Sequence, residues 1–269
     1  MSFELEDVER GELESMHAVA SVQDRDALRL GCEVIGSALV SIAGGLPASA
    51  IVLNRAIGLG LGRPADPETI DAIVARYAAA GVSRYFVHLH PESVPAATRS
   101  WLESCGLERA RSWMKFTRGR EAPPTVDTSV EVRVARPEDM PAFARIASAA
   151  FDLGPAAAPW LCKLDRAQDW RAYVGLVDGE VVATGGLFVR NGVGWLDFGA
   201  TDPRFRGRGA QSALLRQRIV DALDLGCGRL ATATGEAVPG DPQHSYSNIR
   251  KMGFNEAYLR ENYAPRRVQ

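Results

Sequence analysis

The sequence predicts an α/β (α+β) fold in which one mixed-sheet architecture is built twice. Three observations carry this expectation. The chain has 269 residues, 46% of them hydrophobic, enough for two cores in units of about 130 residues each. Apolar runs of strand length alternate with stretches of helical length, so each unit needs a sheet layer and a helix layer. A polar, proline-bearing connector, "RGREAPPTVDTS" (residues 118–129), splits the chain into halves whose element order repeats. The expected domains are residues 1–121 and 128–269.

The chain opens on "MSFELEDVERGELESM", which is acidic and amphipathic and does not read as a secretory leader. Residues 34–53, "VIGSALVSIAGGLPASAIVL", carry no charge and reach membrane-spanning length. Ser, Ala and Gly dilute the run and Gly44-Gly45-Leu46-Pro47 breaks its middle, so two strands joined by a turn fit better than a membrane helix. A further apolar strand region, "SAIVLNRAIGLGL", precedes "GRPADPETI", a plain helix start with Asp66 as N-cap, Pro67 in the first turn and Glu68 beyond. "IDAIVARYAAAGVSRYFVHL" reads as helix, glycine stop and strand. Within that strand His88 and His90 alternate with Val87 and Leu89, which suits a sheet surface.

The second half follows the same course. A strand, "SVEVRVARP", leads to a helix near residues 137–151 and a short helix or loop at 156–164. Asp178-Gly179 turns the hairpin "WRAYVGLVDGEVVATGGLFVR". The strand "VGWLDFGAT", a long helix, the strand "RLATAT", a short helix ending "NIRKMGF" and the strand region "NEAYLRENYAP" complete it. Gly81 precedes Gly106 by about 25 residues and Gly226 precedes Gly253 by about 27, the regularity expected of a duplicated unit.

A net charge of −2 with both signs interspersed argues against a nucleic-acid partner. Cys32, Cys105, Cys162 and Cys227 are scattered without a CxxC pair, so neither a zinc site nor a disulfide framework is expected, and a reducing cytoplasm is the simplest compartment. Oligomeric state is open between monomer and homodimer.

The halves differ between strand and long helix. Where the first has "GRPADPETI", with carboxylates, the second has "DPRFRGRGAQSA", with arginines and glycines. Helix N-termini present unpaired N–H groups and a partial positive charge. Glycines let the backbone approach a ligand, and arginines add bidentate phosphate donors. Arg206 to Ser212 therefore holds the parts of a pyrophosphate site, and equally those of a basic turn that caps a helix. A single RGRG within a folded pattern does not make an RNA-binding segment.

At this loop the sequence resembles the GNAT superfamily of acyl-CoA-dependent N-acyltransferases, whose signature is Gln/Arg-x-x-Gly-x-Gly/Ala. The preferred register is Arg206-Gly207-Arg208-Gly209-Ala210-Gln211 before "SALL", in which Arg206 and Gly209 match and Gln211 departs from the usual small residue; Arg204-x-x-Gly207-x-Gly209 also matches literally but sits two residues out of step. The resemblance covers most of residues 130–263, and "SNIRKMGF…YLRENY" is similar to the family's last helix and Gly-Phe strand start. It implies tandem GNAT-like domains, each a mixed, mostly antiparallel sheet flanked by helices: a degenerate first copy without the phosphate loop and a catalytic second one. It implies acetyl-CoA as co-substrate, with no metal, and a small-molecule or peptide amine as acceptor; the alternatives are a non-catalytic acyl-CoA-binding regulatory module and an acyl-CoA-dependent synthase of a small thiol or amino-sugar metabolite. Backbone of Phe198, Gly199, Ala200 and Thr201 would pair with the pantetheine arm on a splayed strand. Amides of Arg206, Gly207, Arg208, Gly209, Ala210, Gln211 and Ser212 would hold the pyrophosphate.

Direct attack needs a neutral amine and a proton for the leaving thiolate. Many family members place a tyrosine four residues before the Gly-Phe glycine, and here that position is Ile249. Tyr246, three residues earlier on nearly the same helix face, is the substitute candidate. Ser245 and Asn248 are polar neighbours that would contact the cofactor or cap the helix. For the base the order of preference is Glu236, beside the cleft, then Asp197, on the cofactor strand, then His244.

Overall fold

The structure, a computed structural model, describes residues 3–93 and 95–266. Two helices come first, α1 (Phe3–Ala18) and α2 (Val22–Leu28), then the strands β1 (Leu30–Ile35), β2 (Ala38–Ala43) and β3 (Arg55–Leu59). The chain crosses through α3 (Pro67–Ala79) to β4 (Phe86–Leu89) and closes its first half with α4 (Thr98–Ser104) and β5 (Leu107–Arg118). The second half runs β6 (Glu131–Val134), α5 (Met140–Ala150), α6 (Ala158–Leu161), β7 (Trp170–Val177), β8 (Glu180–Arg190), β9 (Val193–Thr201), α7 (Ala210–Asp224), β10 (Arg229–Gly235), α8 (His244–Lys251) and β11 (Asn255–Pro265).

Local chemistry explains many of the boundaries. The Asp66 side chain accepts from Thr69 N at 2.7 Å and Pro67 takes the first helical position of α3. Asp178 (φ 50°) and Gly179 (φ 80°) are both left-handed, as the tight turn between β7 and β8 requires. The uncharged run at 34–53 departs from expectation. Its hairpin turn lies at Gly36-Ser37, and the glycine-rich middle forms irregular turns, so the next strand starts only at Arg55. Gly45 is pressed against α2, where a Cβ would stand 2.5 Å from Ala27 O. Among the described residues no helix is long and apolar enough to cross a membrane.

All eleven strands join in one sheet, ordered β1-β2-β3-β4-β11-β5-β10-β9-β8-β7-β6. Neighbours are antiparallel except β3–β4 and β9–β10, the two pairs joined through the long helices α3 and α7. Outward from a pseudo-two-fold between β11 and β5, strands β4, β3, β2 and β1 match β10, β9, β8 and β7, and β6 is an extra strand at one edge. The halves have exchanged their last strands: β11 inserts between β4 and β5, while β5 pairs with β10. One core cluster runs across both halves on the face covered by α1 and α5; on the other face one cluster lies under α7 and α8 and another under α3 and α4.

Helix α1 crosses the sheet, packing on β1 and β3 in one half and on β8 and β9 in the other. Sixteen residues at 1.5 Å each span about 24 Å, enough for that crossing. Glu6, Glu9 and Glu12 point inward, because the central strands supply counter-charges. Glu9 is fully buried against Arg260 of β11, Lys115 of β5 and Arg55 of β3. Burial alone would raise the Glu9 carboxyl, but Arg260, Lys115 and Arg55 together hold it well below the usual carboxylate range. Glu6 accepts from Arg260 at 3.1 Å and from the Tyr258 hydroxyl at 2.7 Å. His88 and His90 lie under this layer, not on a sheet surface: both are buried, and His88 Nδ1 meets Asn262 Oδ1 at 2.6 Å. The exchanged strand β11, which supplies Asn262, is what covers His88.

Candidate active site

The parallel strands β9 and β10 pair only through Val193↔Arg229, Gly194↔Leu230 and Trp195↔Ala231. There they fork. The Thr232 hydroxyl donates to Leu196 O at 2.8 Å in the crotch, and from Asp197 onward β9 pairs only with β8. A bulge re-aims the departing strand, since Asp197 pairs with Gly186 and Ala200 with Thr184, leaving Phe198 and Gly199 opposite Gly185. Phe198 takes φ 50°, a left-handed value uncommon for a bulky residue. Its ring is fixed by Phe151 at 5.4 Å and Trp170 at 5.8 Å, and its N–H donates to Asp197 Oδ1 at 2.6 Å.

Arg218 of α7 holds the bulge from the opposite face. Its guanidinium is buried and donates to Gly186 O at 3.0 Å, Asp197 O at 2.9 Å and Leu214 O at 3.0 Å. Burial pushes its pKa down to about 10, still charged at neutral pH. Gly185 makes the room, since a Cβ there would stand 2.8 Å from the Arg218 Cζ. The sequence reading passed over this residue. Its signal was an arginine spaced i, i+4 between Leu214 and Ala222, on the apolar face of an amphipathic helix.

At the far end of the fork the loop bends sharply. The Asp202 side chain accepts from Arg204 N at 3.0 Å and pairs with the Arg204 guanidinium, which holds the Asp202 carboxyl down at about 2. Gly207 (φ 79°) and Gly209 (φ 80°) are left-handed, and Gly209 is the N-cap of α7 with no side chain capping it. Arg206, Gly207 and Arg208 are exposed, while Ala210 is buried. The Thr128 hydroxyl donates to Arg208 O at 2.6 Å, so the segment before β6 pins the loop. Gln211 reaches α8, accepting from Asn248 Nδ2 at 2.7 Å and donating to Ser245 Oγ at 3.3 Å. The residue that departs from the family pattern is thus the link between the loop and the last helix. Ser212 follows in the first turn of α7.

The equivalent place in the first half is closed. There β3–β4 pairing resumes at Leu59↔Leu89 beyond a bulge, and the Asp66 carboxylate occupies the N-terminus of α3.

The three catalytic candidates have different partners. Glu236, half-buried after β10, accepts from Ser112 N at 2.8 Å, and its carbonyl takes the Arg111 guanidinium at 2.7 Å. Tyr246 packs edge-on against Phe116 at 4.8 Å; burial and the Glu256 carboxylate bonded to its hydroxyl push it up to about 12. Asp197 lines a pocket on the α1 face of the fork together with Glu12, Arg55 and Phe151. Ile249 is buried in the core under α8, and His244 is exposed at the helix start. Gly199 is half-buried at the bulge, and Ala200 and Thr201 return to the ladder with β8. Among the described residues no cluster of His, Cys, Asp or Glu could hold a metal ion.

A forked parallel pair that leads into an uncapped, glycine-rich helix start offers an open strand edge to an extended ligand and a row of backbone N–H groups to an anion. Residues 140–254 match the family model described as "Acetyltransferase (GNAT) family". No curated protein matches the sequence. The fold as a whole is similar to a GCN5-related N-acetyltransferase from Kribbella flavida (18% identity, 94% of this chain and 96% of that one, TM-score 0.63). It is also similar to one from Sphaerobacter thermophilus (16% identity, 90% and 83%, TM-score 0.61). A tandem GNAT protein from the clavulanic acid biosynthesis pathway aligns at 14% identity over 86% of this chain and 78% of its own, with TM-score 0.58.

Proposed function

We propose that the protein is a cytoplasmic N-acetyltransferase that moves the acetyl group of acetyl-CoA to a primary amine by direct attack. Residues 128–269 act as the catalytic domain, and residues 1–121 as a copy without a phosphate loop that shapes the acceptor side. The observation that carries this reading is the contrast between the two forks. The fork of β9 and β10 stays open and ends on a helix start free of any side-chain cap, while that of β3 and β4 is zipped past its bulge and ends on Asp66. An anion seat filled by the chain's own carboxylate has no charge left to offer a pyrophosphate.

In this reading the amides from Arg206 to Ser212 and the Arg206 and Arg208 guanidinia take the pyrophosphate, and the backbone of residues 198–201 takes the pantetheine arm. Asn248, through Gln211, fixes α8 against the loop. The amine nitrogen attacks the thioester carbonyl; the C–N bond forms, the C–S bond breaks, and CoA leaves as the thiol after taking a proton. Asp197 is the preferred base, because it borders the pocket on the acceptor face. Glu236 would have to leave the Ser112 N–H, and Tyr246 the Glu256 carboxylate, before either acted. A second reading, an acyl-CoA-binding module without turnover, draws on the buried Ile249 at the family's tyrosine position.

Calorimetric titration with acetyl-CoA and CoA tests the proposal. Micromolar binding, about −8 kcal/mol, is expected for the native chain, and none for Arg206→Glu with Gly209→Glu while the circular dichroism spectrum is retained. Unchanged affinity in that variant sinks the loop assignment, and binding without any amine-dependent thiol release selects the second reading.

A further inference from the structure

Glu12 of α1 stands out among the buried charges. Its side chain is fully buried, yet neither carboxylate oxygen receives a hydrogen bond from any donor among the described residues. The closest cation, the Arg55 guanidinium, stays 3.5 Å away and is shared with Glu9. The other carboxyl that lines the same pocket is that of Asp197. Two carboxylates meet without repulsion only when a proton lies between them, and then one donates to the other. Both line the pocket on the α1 face of the fork, with Arg55 at one side and Met16, Phe151 and Phe198 as apolar wall. As the structure stands, the pocket has room for about one water.

Resting on the acyltransferase reading above, we propose that Glu12, from the half without a phosphate loop, completes the acceptor site: it forms with Asp197 a proton-sharing carboxyl pair that receives the ammonium head of a primary amine and takes its proton. The charged groups facing Glu12 are Asp197 from β9, Arg55 from β3 and Glu9 from its own helix. Burial first, and then the Asp197 charge, raise the Glu12 carboxyl well above its ordinary range, against the lowering by Arg55. A pair with one proton titrates as a unit, and its second ionisation is displaced upward. Once fully ionised, the pair accepts one proton from the ammonium group and frees the lone pair for attack. The second proton shed by nitrogen goes to the thiolate. The pair then returns its proton to solvent, so protons balance over the turnover. The two carboxyls select a cation over a neutral nucleophile.

Two readouts test this. Infrared titration of the protein without ligands reads the C=O stretch of a protonated carboxyl. One such band is expected to persist at pH 7, to vanish in Glu12→Gln, and to titrate at lower pH in Asp197→Asn. Its absence from the native protein at pH 7 overturns the pair. The second readout is kcat/KM for n-butylamine and phenethylamine with acetyl-CoA, followed by thiol release across pH. Asp197→Asn is expected to lose about 100-fold or more. In Glu12→Gln, which leaves Asp197 a lone carboxylate, the acidic limb is expected to move down by about one pH unit or more. A purely structural glutamate would leave that limb in place whatever happened to the rate. An unmoved limb, or no turnover of either amine by a protein that binds CoA, overturns the inference and spares the cofactor reading. Failure to bind CoA sinks the cofactor reading instead, and the infrared titration still decides the pair.

Discussion

Replacing Arg218 with Met tests what holds the fork open. The native guanidinium satisfies Gly186 O and Asp197 O, the two carbonyls beside the bulge, from a site 2% exposed. Methionine fills similar volume without donors, so both acceptors stay buried and unpaired at about 1–3 kcal/mol each. The variant recovers the desolvation cost of the buried cation, which trims the net loss to about 2–3 kcal/mol. Urea unfolding at pH 7, followed by tryptophan fluorescence, measures this directly. Arg218→Lys should fall in between, because one ammonium cannot reproduce the guanidinium's spread of donors to separate carbonyls. The bulge should relax with the stability, so CoA affinity should fall in Arg218→Met although α7 and its loop are intact. A Met variant within about 0.5 kcal/mol of native would refute the account of the bulge, and native CoA affinity would refute its link to the fork.

The buried charges give two further tests. Arg260→Met strands Glu6 and Glu9 with fewer partners, and removal of one side of a buried ion network costs about 3–5 kcal/mol; a loss below about 1 kcal/mol in urea would show that Lys115 and Arg55 suffice. His17, bonded to Ser41 Oγ at 2.9 Å, is held down to about 4 by burial and by Arg25. Its folded pKa lies below the unfolded value, so only the unfolded chain takes up the proton between those two values, and stability falls as pH drops from about 6.5 to 4. The expected loss between pH 7 and pH 5 is about 2 kcal/mol from this group, and His17→Gln should shrink the pH dependence without abolishing it, since burial also lowers His88 and His90. Equal slopes in both proteins would refute the assignment.

The parts legible in the sequence were those set by neighbours along the chain. Asp66 and Pro67 start a helix wherever they fall, Asp178-Gly179 turns a hairpin by its own dihedrals, and Gly207 and Gly209 make the loop bend. The proposed cofactor segments rest on those local signals. What pairs across the sheet did not. The acidic stretch of α1 gave no sign that Glu9 and Glu12 point inward, because Lys115 and Arg260 lie more than a hundred residues away in sequence. His88 was placed outside because nothing local announces that Asn262 will cover it. Arg218 was the one miss with a local trace, an ionised side chain where the helix period demands an apolar one.

The exchange of last strands sets the timetable of synthesis. As the first half leaves the ribosome, β4 and β5 have no strand between them, and their unpaired edges must remain open while some 140 more residues are made, from the end of β5 to the start of β11. The central seam closes only when the final segment, residues 255–265, slides between them and brings Arg260 to Glu9. The first half therefore completes its native pairing only once the last segment is made. A chain that stops before residue 255 lacks the strand that joins β4 to β5 and the Arg260 that pairs with Glu6 and Glu9.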